Sequence, residues 1–287
     1  MAPSSPTVAQ HELALRLTRR RLELDLNVAT LAKELGFTRN YWSAIENKRT
    51  LPAKEKLQDV VKLLKFDDEA QFELLQLREI ARSRGWWDEQ PYSSVLSEDT
   101  KILAGFEQGA TGIRSYESLV IPGLLQTEEY ARAVLAADSL HAPATLETRV
   151  AARKRRQRRL SGDEPLRLTA VLSETTLLQQ VAGPNIQRRQ LEYLATLVES
   201  RPETLIVQIL PFSVFPGGLI GSLSLSFLEF ASSHLPVLAL QEGYRELLLP
   251  EGAELTRIEL AWAAGLDKAV APDESLDLIR KVVSQLA

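Results

Sequence analysis

The chain has 287 residues, enough to bury more than one core, and its 45% hydrophobic and 25% charged residues match an ordinary globular protein. It has no cysteine, which excludes disulfides and thiolate metal sites, and no uninterrupted apolar run long enough to cross a bilayer. The formal charge of −4 conceals an asymmetry: residues 8–66 carry twelve Lys and Arg against seven Asp and Glu, whereas 67–148 and 161–287 are acidic, so a polyanion contact belongs to the first segment.

The opening stretch, MAPSSPTVAQ, has no basic region followed by an apolar one, so no secretory leader and a cytoplasmic location are expected. Helical periodicity then predicts helices over residues 8–24, 28–35, 39–46, 54–64 and 69–84. Leu57, Val60, Val61 and Leu64 give the fourth an apolar stripe, and Pro52 closes the loop before it. Between the second and third helices, Gly36 can take the positive φ that ends a helix and Thr38 can cap the next, so two short helices meet at a tight turn. Phe37, Trp42 and Ile45 fall on one side of the third helix and are expected in the core. Arg39, Asn40, Ser43 and Ala44 share the other side.

Leu31-Ala32, Gly36, Ile45-Glu46-Asn47 and Pro52 resemble the pattern of the XRE, or phage-repressor-like, helix-turn-helix family over about residues 8–66. That resemblance implies that the third helix enters the major groove of an operator and that its first residues reach base edges. Arg39 and Asn40 are then the readers, joined by Ser43 and Ala44. The chemistry agrees, since Arg forks onto guanine acceptors and Asn pairs bidentately with adenine. Thr38 at the helix N-terminus, and Lys48, Arg49 and Lys54 after it, are expected on phosphates. Two positions depart from the family: Val28 stands where a phosphate-contacting Gln is common, and Lys48 where Gly is common. Asn47 is therefore expected to take the left-handed conformation. By the same resemblance Glu46 pairs with Arg20 or Arg21.

GWWDEQPYSSVLSEDT breaks the helical period after Arg84 and marks a linker, residues 85–98, against which Trp86 and Trp87 are expected to pack one domain on the next. A helix-turn-helix domain over 8–84 and a second domain over 99–287 follow. In the second, YESLVIPGLLQTEEYARAVL (116–135) contains a Pro-Gly turn and a helix capped by Thr127, with Glu128 and Glu129 in its first turn. Strands are expected over 166–172, 204–210, 223–230, 237–240 and 244–249, and helices over 185–199, 253–264 and 273–286. The fold class is α+β, with an all-helical bundle ahead of a larger α+β domain.

The string from Ile121 to Thr127 resembles the Val-Pro-Gly-Leu-Leu-Gln-Thr motif of a large actinobacterial family of XRE-type regulators, and LSETTL (172–177), QILPF (208–212) and Gly217-Gly218 look like its later landmarks. The resemblance implies a C-terminal antitoxin-like regulatory domain that receives a signal from a small partner protein encoded alongside. The contrasting expectation is a small-molecule effector held in an apolar pocket between sheet and helices. The helix RVAARKRRQRRL (149–160) has no acidic residue. It can be a solvated or internally ion-paired face, a partner contact or a supplementary DNA contact. Arg153, Arg156 and Gln157 match the family there.

Catalysis is not expected. His11, His141 and His234 are scattered, no P-loop, dinucleotide fingerprint or nucleophile elbow occurs, and Glu174 with Glu242 is the nearest approach to a carboxylate pair. No cofactor, metal or membrane contact is expected. A homodimer built through the second domain is, because one such module covers only a half-site.

Overall fold

The computed structural model describes residues 4–137, 142–220, 222–242, 247–249 and 252–286. Five helices open the chain: α1 (Pro6–Glu23), α2 (Val28–Glu34), α3 (Arg39–Glu46), α4 (Lys54–Leu63) and α5 (Asp68–Ala81). Their apolar faces meet in one cluster that buries Leu13, Leu17, Leu31, Trp42, Ile45, Leu57, Val60, Leu64 and Leu74. Side chains of Ser5, Asn27, Thr38 and Asp67 each accept a backbone N–H at a helix start, which satisfies donors the helix itself cannot.

The helix ends are equally regular. Asp25, Gly36, Lys48 and Lys65 all have positive φ, and the next residue's N–H reaches back in every case: Leu26 to Arg21 O, Phe37 to Ala32 O, Arg49 to Ala44 O and Phe66 to Val61 O. The expectation for Asn47 is therefore corrected. Asn47, at φ −88°, is the last half-helical residue and Lys48, at φ +60°, takes the left-handed turn. The hydrogen-bond register selects the residue one past the cap, and Asn47 is held in place by Nδ2 donation to Ser43 O at 2.8 Å.

Residues 86–88 and 92–94 form short 3-10 turns. Trp87 is buried with Leu96, Ala104 and Ala152, while Trp86 packs edge-on against Tyr92 beneath the Arg155 guanidinium. Then come α6 (Glu98–Gly109), β1 (Gly112–Glu117), α7 (Glu128–Ala136), α8 (Leu146–Gln157), β2 (Arg167–Ser173), α9 (Thr175–Leu178), α10 (Pro184–Ser200) and β3 (Leu205–Leu210). After these lie β4 (Ser224–Glu229), β5 (Leu238–Glu242), β6 (Leu247–Leu249), α11 (Ala253–Lys268) and α12 (Pro272–Gln285). The sheet order is β3-β2-β1-β4-β5-β6, parallel across β1, β2 and β3 and antiparallel from β1 through β4 to β6. The mixed sheet makes the fold α+β.

Sheet alternation sorts the two faces. Ile113, Leu168, Ala170, Leu172, Val207 and Leu228 face a cluster shared with α6, α7, α10 and α12, whereas Tyr116, Val171, Leu225 and Phe227 face Trp262 of α11. β1, the centre of the sheet, and α6 were not anticipated from the sequence. Residues 243–246, in the strand expected over 244–249, and His141 lie outside the described residues. Among those described, no helix is long and apolar enough to cross a membrane.

α6 also joins the sheet to the helical bundle. Ser5 Oγ donates to Gly105 O at 2.6 Å, and a Cβ on Gly105 would sit 2.0 Å from Thr7 Oγ1, so only glycine permits this approach of α1 to α6. Beside it His11 is buried edge-on against Phe106, with ring centroids 5.4 Å apart. Burial, and then the Lys48 ammonium, lower its pKa from 6.5 to about 3. An unfolded histidine takes up its proton near pH 6.5 and the folded one only near 3, so His11 contributes fully above the unfolded value and its contribution is lost as pH falls through that window. Urea unfolding of the wild type and His11→Gln should show the stability difference between them falling by about 2 kcal/mol from pH 7 to pH 5. A pH-independent difference would contradict the assignment.

Candidate nucleic-acid interface

The turn between α2 and α3 is built from local signals. Asn27 Oδ1 accepts from Thr30 N at 2.8 Å to start α2, Gly36 turns the chain, and Thr38 Oγ1 accepts from Tyr41 N at 3.1 Å to start α3. α3 is seated by its inner face: Trp42 and Ile45 are buried, and Phe37 packs against both Tyr41 and Trp42. Of the two arginines that could pair with Glu46, Arg21 does so, with Nε donating to Oε1 at 2.5 Å and Nη1 to Leu26 O at 2.7 Å. This pair is largely shielded, with side-chain exposures of 10% and 12%, and it ties the last turn of α3 to α1. Arg20 instead reaches Leu64 O and Lys65 O at the end of α4.

The outer face of α3 carries Arg39 and Asn40, both exposed, with Ser43 and Ala44 half-buried one turn on. Ser43 Oγ lies 3.2 Å from Asn47 Nδ2, so part of its hydrogen-bonding capacity is used internally. Thr38 is exposed at the N-terminus of α3 and Lys54 is the first residue of α4, two helix starts at which backbone N–H groups favour an anion. Lys48 and Arg49 are exposed at the other end of α3. They line a cleft of about 500 Å³ whose walls include Gln10, Asp88, Glu98 and Asp99, and Gln10 Nε2 donates to Lys48 O at 2.9 Å. The eight sequence-predicted residues are thus not one patch: six belong to α3 and the helix starts, and two share a cleft with carboxylates of the 85–98 segment and α6. Val28 is half-buried against the bundle core.

Beyond the bundle, the 121–127 motif is held from several sides. Leu124, Leu125, Gln126 and Ile121 are buried. Gln126 Nε2 donates to Ile121 O at 2.7 Å, and its Oε1 accepts from Arg153 at 2.7 Å. Gln157 donates to Gly123 O and Gln126 O, and Gln190 both accepts from Thr127 N and donates to Leu125 O. Thr127 Oγ1 caps α7 by accepting from Tyr130 N. The basic helix is largely turned inward: Arg156 forms a two-pronged pair with Glu107 at 2.7 and 2.8 Å, Lys154 reaches Glu128, and Arg159 donates to three carbonyls. Ion pairs thus hold Arg156 and Lys154, while Arg159 is held by carbonyls and Arg155 lies over the Trp86 and Tyr92 rings.

Glu107, Gln187 and Gln190, buried here, were not singled out from the sequence, nor were Ser115 and Glu117 on β1. The available signal was the alternation in GIRSYE, which is strand-like but places polar side chains on a face otherwise made of aliphatic ones. Glu174 accepts from Phe212 N at 2.8 Å, a turn-holding role, and the Glu242 side chain lies outside the described residues. Among the described residues no group of three His, Cys, Asp or Glu is placed to hold a metal ion.

Two capped helices across a tight turn, with the second locked by its inner face and bearing Arg and Asn on its outer one, define a helix-turn-helix regulator of the DNA-binding class. Residues 12–75 match the family described as Helix-turn-helix domain, and residues 100–281 match the Domain of unknown function (DUF5753). That second match covers most of the chain, which belongs to the DUF5753 family. No curated protein and no solved structure matches it.

The Arg21–Glu46 pair makes a measurable demand. Glu46→Gln leaves the Arg21 charge shielded from water without its counter-ion and should cost about 3–5 kcal/mol by urea unfolding, whereas Arg21→Met with Glu46→Leu should recover most of it. Equal losses in the single and double variants would show that the pair does not set the seating of α3.

Proposed function

We propose that this protein is a sequence-specific transcriptional regulator that binds double-stranded operator DNA through α3. Arg39 and Asn40 read base edges, Ser43 and Ala44 contact bases beside them, and Thr38, Lys48, Arg49 and Lys54 hold phosphates. The observation that carries this is the division of α3 into a locked inner face, with Trp42 and Ile45 buried, and an outer face that opens on exposed Arg39 and Asn40. Residues 8–84 form the reading unit, 85–98 the connection and 99–287 a regulatory unit without catalytic chemistry. A homodimer aligns two reading units with successive turns of the duplex in the cytoplasm.

The regulatory unit receives its signal from a small partner protein in an antitoxin-like arrangement. The 121–127 motif supports this, and so does an exposed apolar groove where Ile220 and Leu260 lie together between the 217–219 turn and α11, with Phe212 and Phe215 exposed in the preceding loop. A second reading, a small-molecule effector, is supported by a cavity between the sheet and α8. That cavity is charged, not the apolar pocket expected from the sequence.

An operator selected from random duplexes by the full-length protein tests the reading. Arg39→Ala and Asn40→Ala should each cost about 1–3 kcal/mol of operator affinity and relax preference at one base pair, while Lys54→Ala should weaken all duplexes alike and lower the salt dependence by about one ion. Unchanged affinity and preference in both α3 variants would sink the assignment.

A further inference from the structure

α11 covers one face of the sheet and leaves its own outer face open. Leu255, Trp262 and Gly265 are buried on the inner side, and Trp262 meets Phe227 of β4 with ring centroids 6.1 Å apart. Leu260 lies about 160° around the helix from Trp262 and is 67% exposed. A single exposed leucine is ordinary, but this one has company. Arg257, Leu260, Ala264 and Asp267 follow the spacing i, i+3, i+7, i+10, which holds them within about 80° of arc, and all four are exposed.

Arg257 and Asp267 carry opposite charges that cannot meet within one helix, because ten residues separate them by a rise of about 15 Å. Neither has an ion-pair partner among the described residues. Arg114, by contrast, pairs with Glu229 and with Glu259 of the same helix. The 217–219 turn packs on the Ala261 and Gly265 side of α11, where a Cβ on Gly218 would lie 2.7 Å from Ala261 Cβ and one on Gly265 2.3 Å from Leu219 Cδ1. It flanks the stripe without covering it. Phe212 and Phe215, in the loop before that turn, are not part of the stripe.

The stripe is complementary to itself. A two-fold axis midway between positions 260 and 264 is also midway between 257 and 267. An antiparallel copy on that axis therefore sets Leu260 of each helix against Ala264 of the other, and Arg257 of each against Asp267 of the other. The small Ala264 side chain leaves a recess for the leucine, and two ion pairs close the ends. A foreign helix would need the same spacing in reverse order, whereas a second α11 supplies it.

We propose that α11 is the dimer interface of this protein, pairing antiparallel with α11 of a second copy through Arg257, Leu260, Ala264 and Asp267. The proposal deepens the homodimer reading and rests on it. α11 has 16 residues and is about 24 Å long, so the interface is small and its dissociation constant falls in the micromolar range. Operator DNA strengthens the pairing, since two half-sites hold two copies at a high effective concentration.

Sedimentation equilibrium of the full-length protein up to several hundred micromolar tests the interface. The wild type should dimerise, and less so at high salt. Arg257→Asp and Asp267→Arg should each raise the dissociation constant about tenfold, because a symmetric dimer then carries two like-charge contacts, and Leu260→Asp should abolish the dimer. Mixing the two single reversals should give a heterodimer with both ion pairs restored, and Arg257→Asp combined with Asp267→Arg in one chain should recover the homodimer. Such rescue distinguishes a lost contact from a lost fold. A wild type that stays monomeric, reversals without effect, or single reversals that mixing does not rescue would each overturn the interface. Light scattering on the selected operator separates this from the broader reading: two copies on the duplex after such a result keep the homodimer and put its interface elsewhere, whereas one copy removes the homodimer as well.

Discussion

The paired Arg156 and Glu107 side chains, both shielded from water, are the contact on which the regulatory half of the molecule depends. A helix as basic as α8 has no reason to lie on a sheet unless its charges find partners there, since burying an unpaired guanidinium costs far more than apolar contact returns. Glu107 supplies one partner, the carbonyls at 107, 110 and 164 supply Arg159, and Gln126 supplies Arg153. Once α8 is fixed, Arg153 and Gln157 hold the 121–127 segment, and that segment seats α7 and receives Gln190 from α10. One ionic contact thus orders a turn, two helices and the cavity between them.

Because Glu107 stands on α6, the same contact has a second reach. α6 presents Glu107 to α8 and Gly105 to the start of α1, so the regulatory half and the reading half share a single helix. Arg19 of α1 also donates to His234 O in the loop between β4 and β5. Within the reading half the mechanics are simpler. The first four helices each end on a residue of positive φ, and the Arg21–Glu46 pair keeps α3 from rolling, which leaves the orientation of Arg39 and Asn40 to the bundle rather than to their own mobility.

The helical half was legible almost residue by residue. Helix starts and ends there depend on side chains within three or four positions, Thr38 with Tyr41 or Asn27 with Thr30, and such contacts are visible in a linear string. The exception at Lys48 shows the limit: residue preference pointed to Asn47, but the backbone register decided which residue turns left-handed. β1 was invisible for the opposite reason. Its backbone partners lie more than fifty residues away in β2 and over a hundred away in β4, and its polar alternation matches a solvated segment as well as a central strand.

The sequence by itself determined the α+β class, the capped helix pair, the outward placement of Arg39 and Asn40 and the motif at 121–127, because short-range capping, periodicity and turn chemistry carry them. Tertiary structure alone decided that Arg153 and Arg156 of α8 turn to Gln126 and Glu107, that Lys48 and Arg49 border a cleft with Glu98 and Asp99, and that Glu117 lines a charged cavity. The physical reason is that a charged side chain's role depends on the dielectric and the counter-charge around it, and both come from residues distant in the chain.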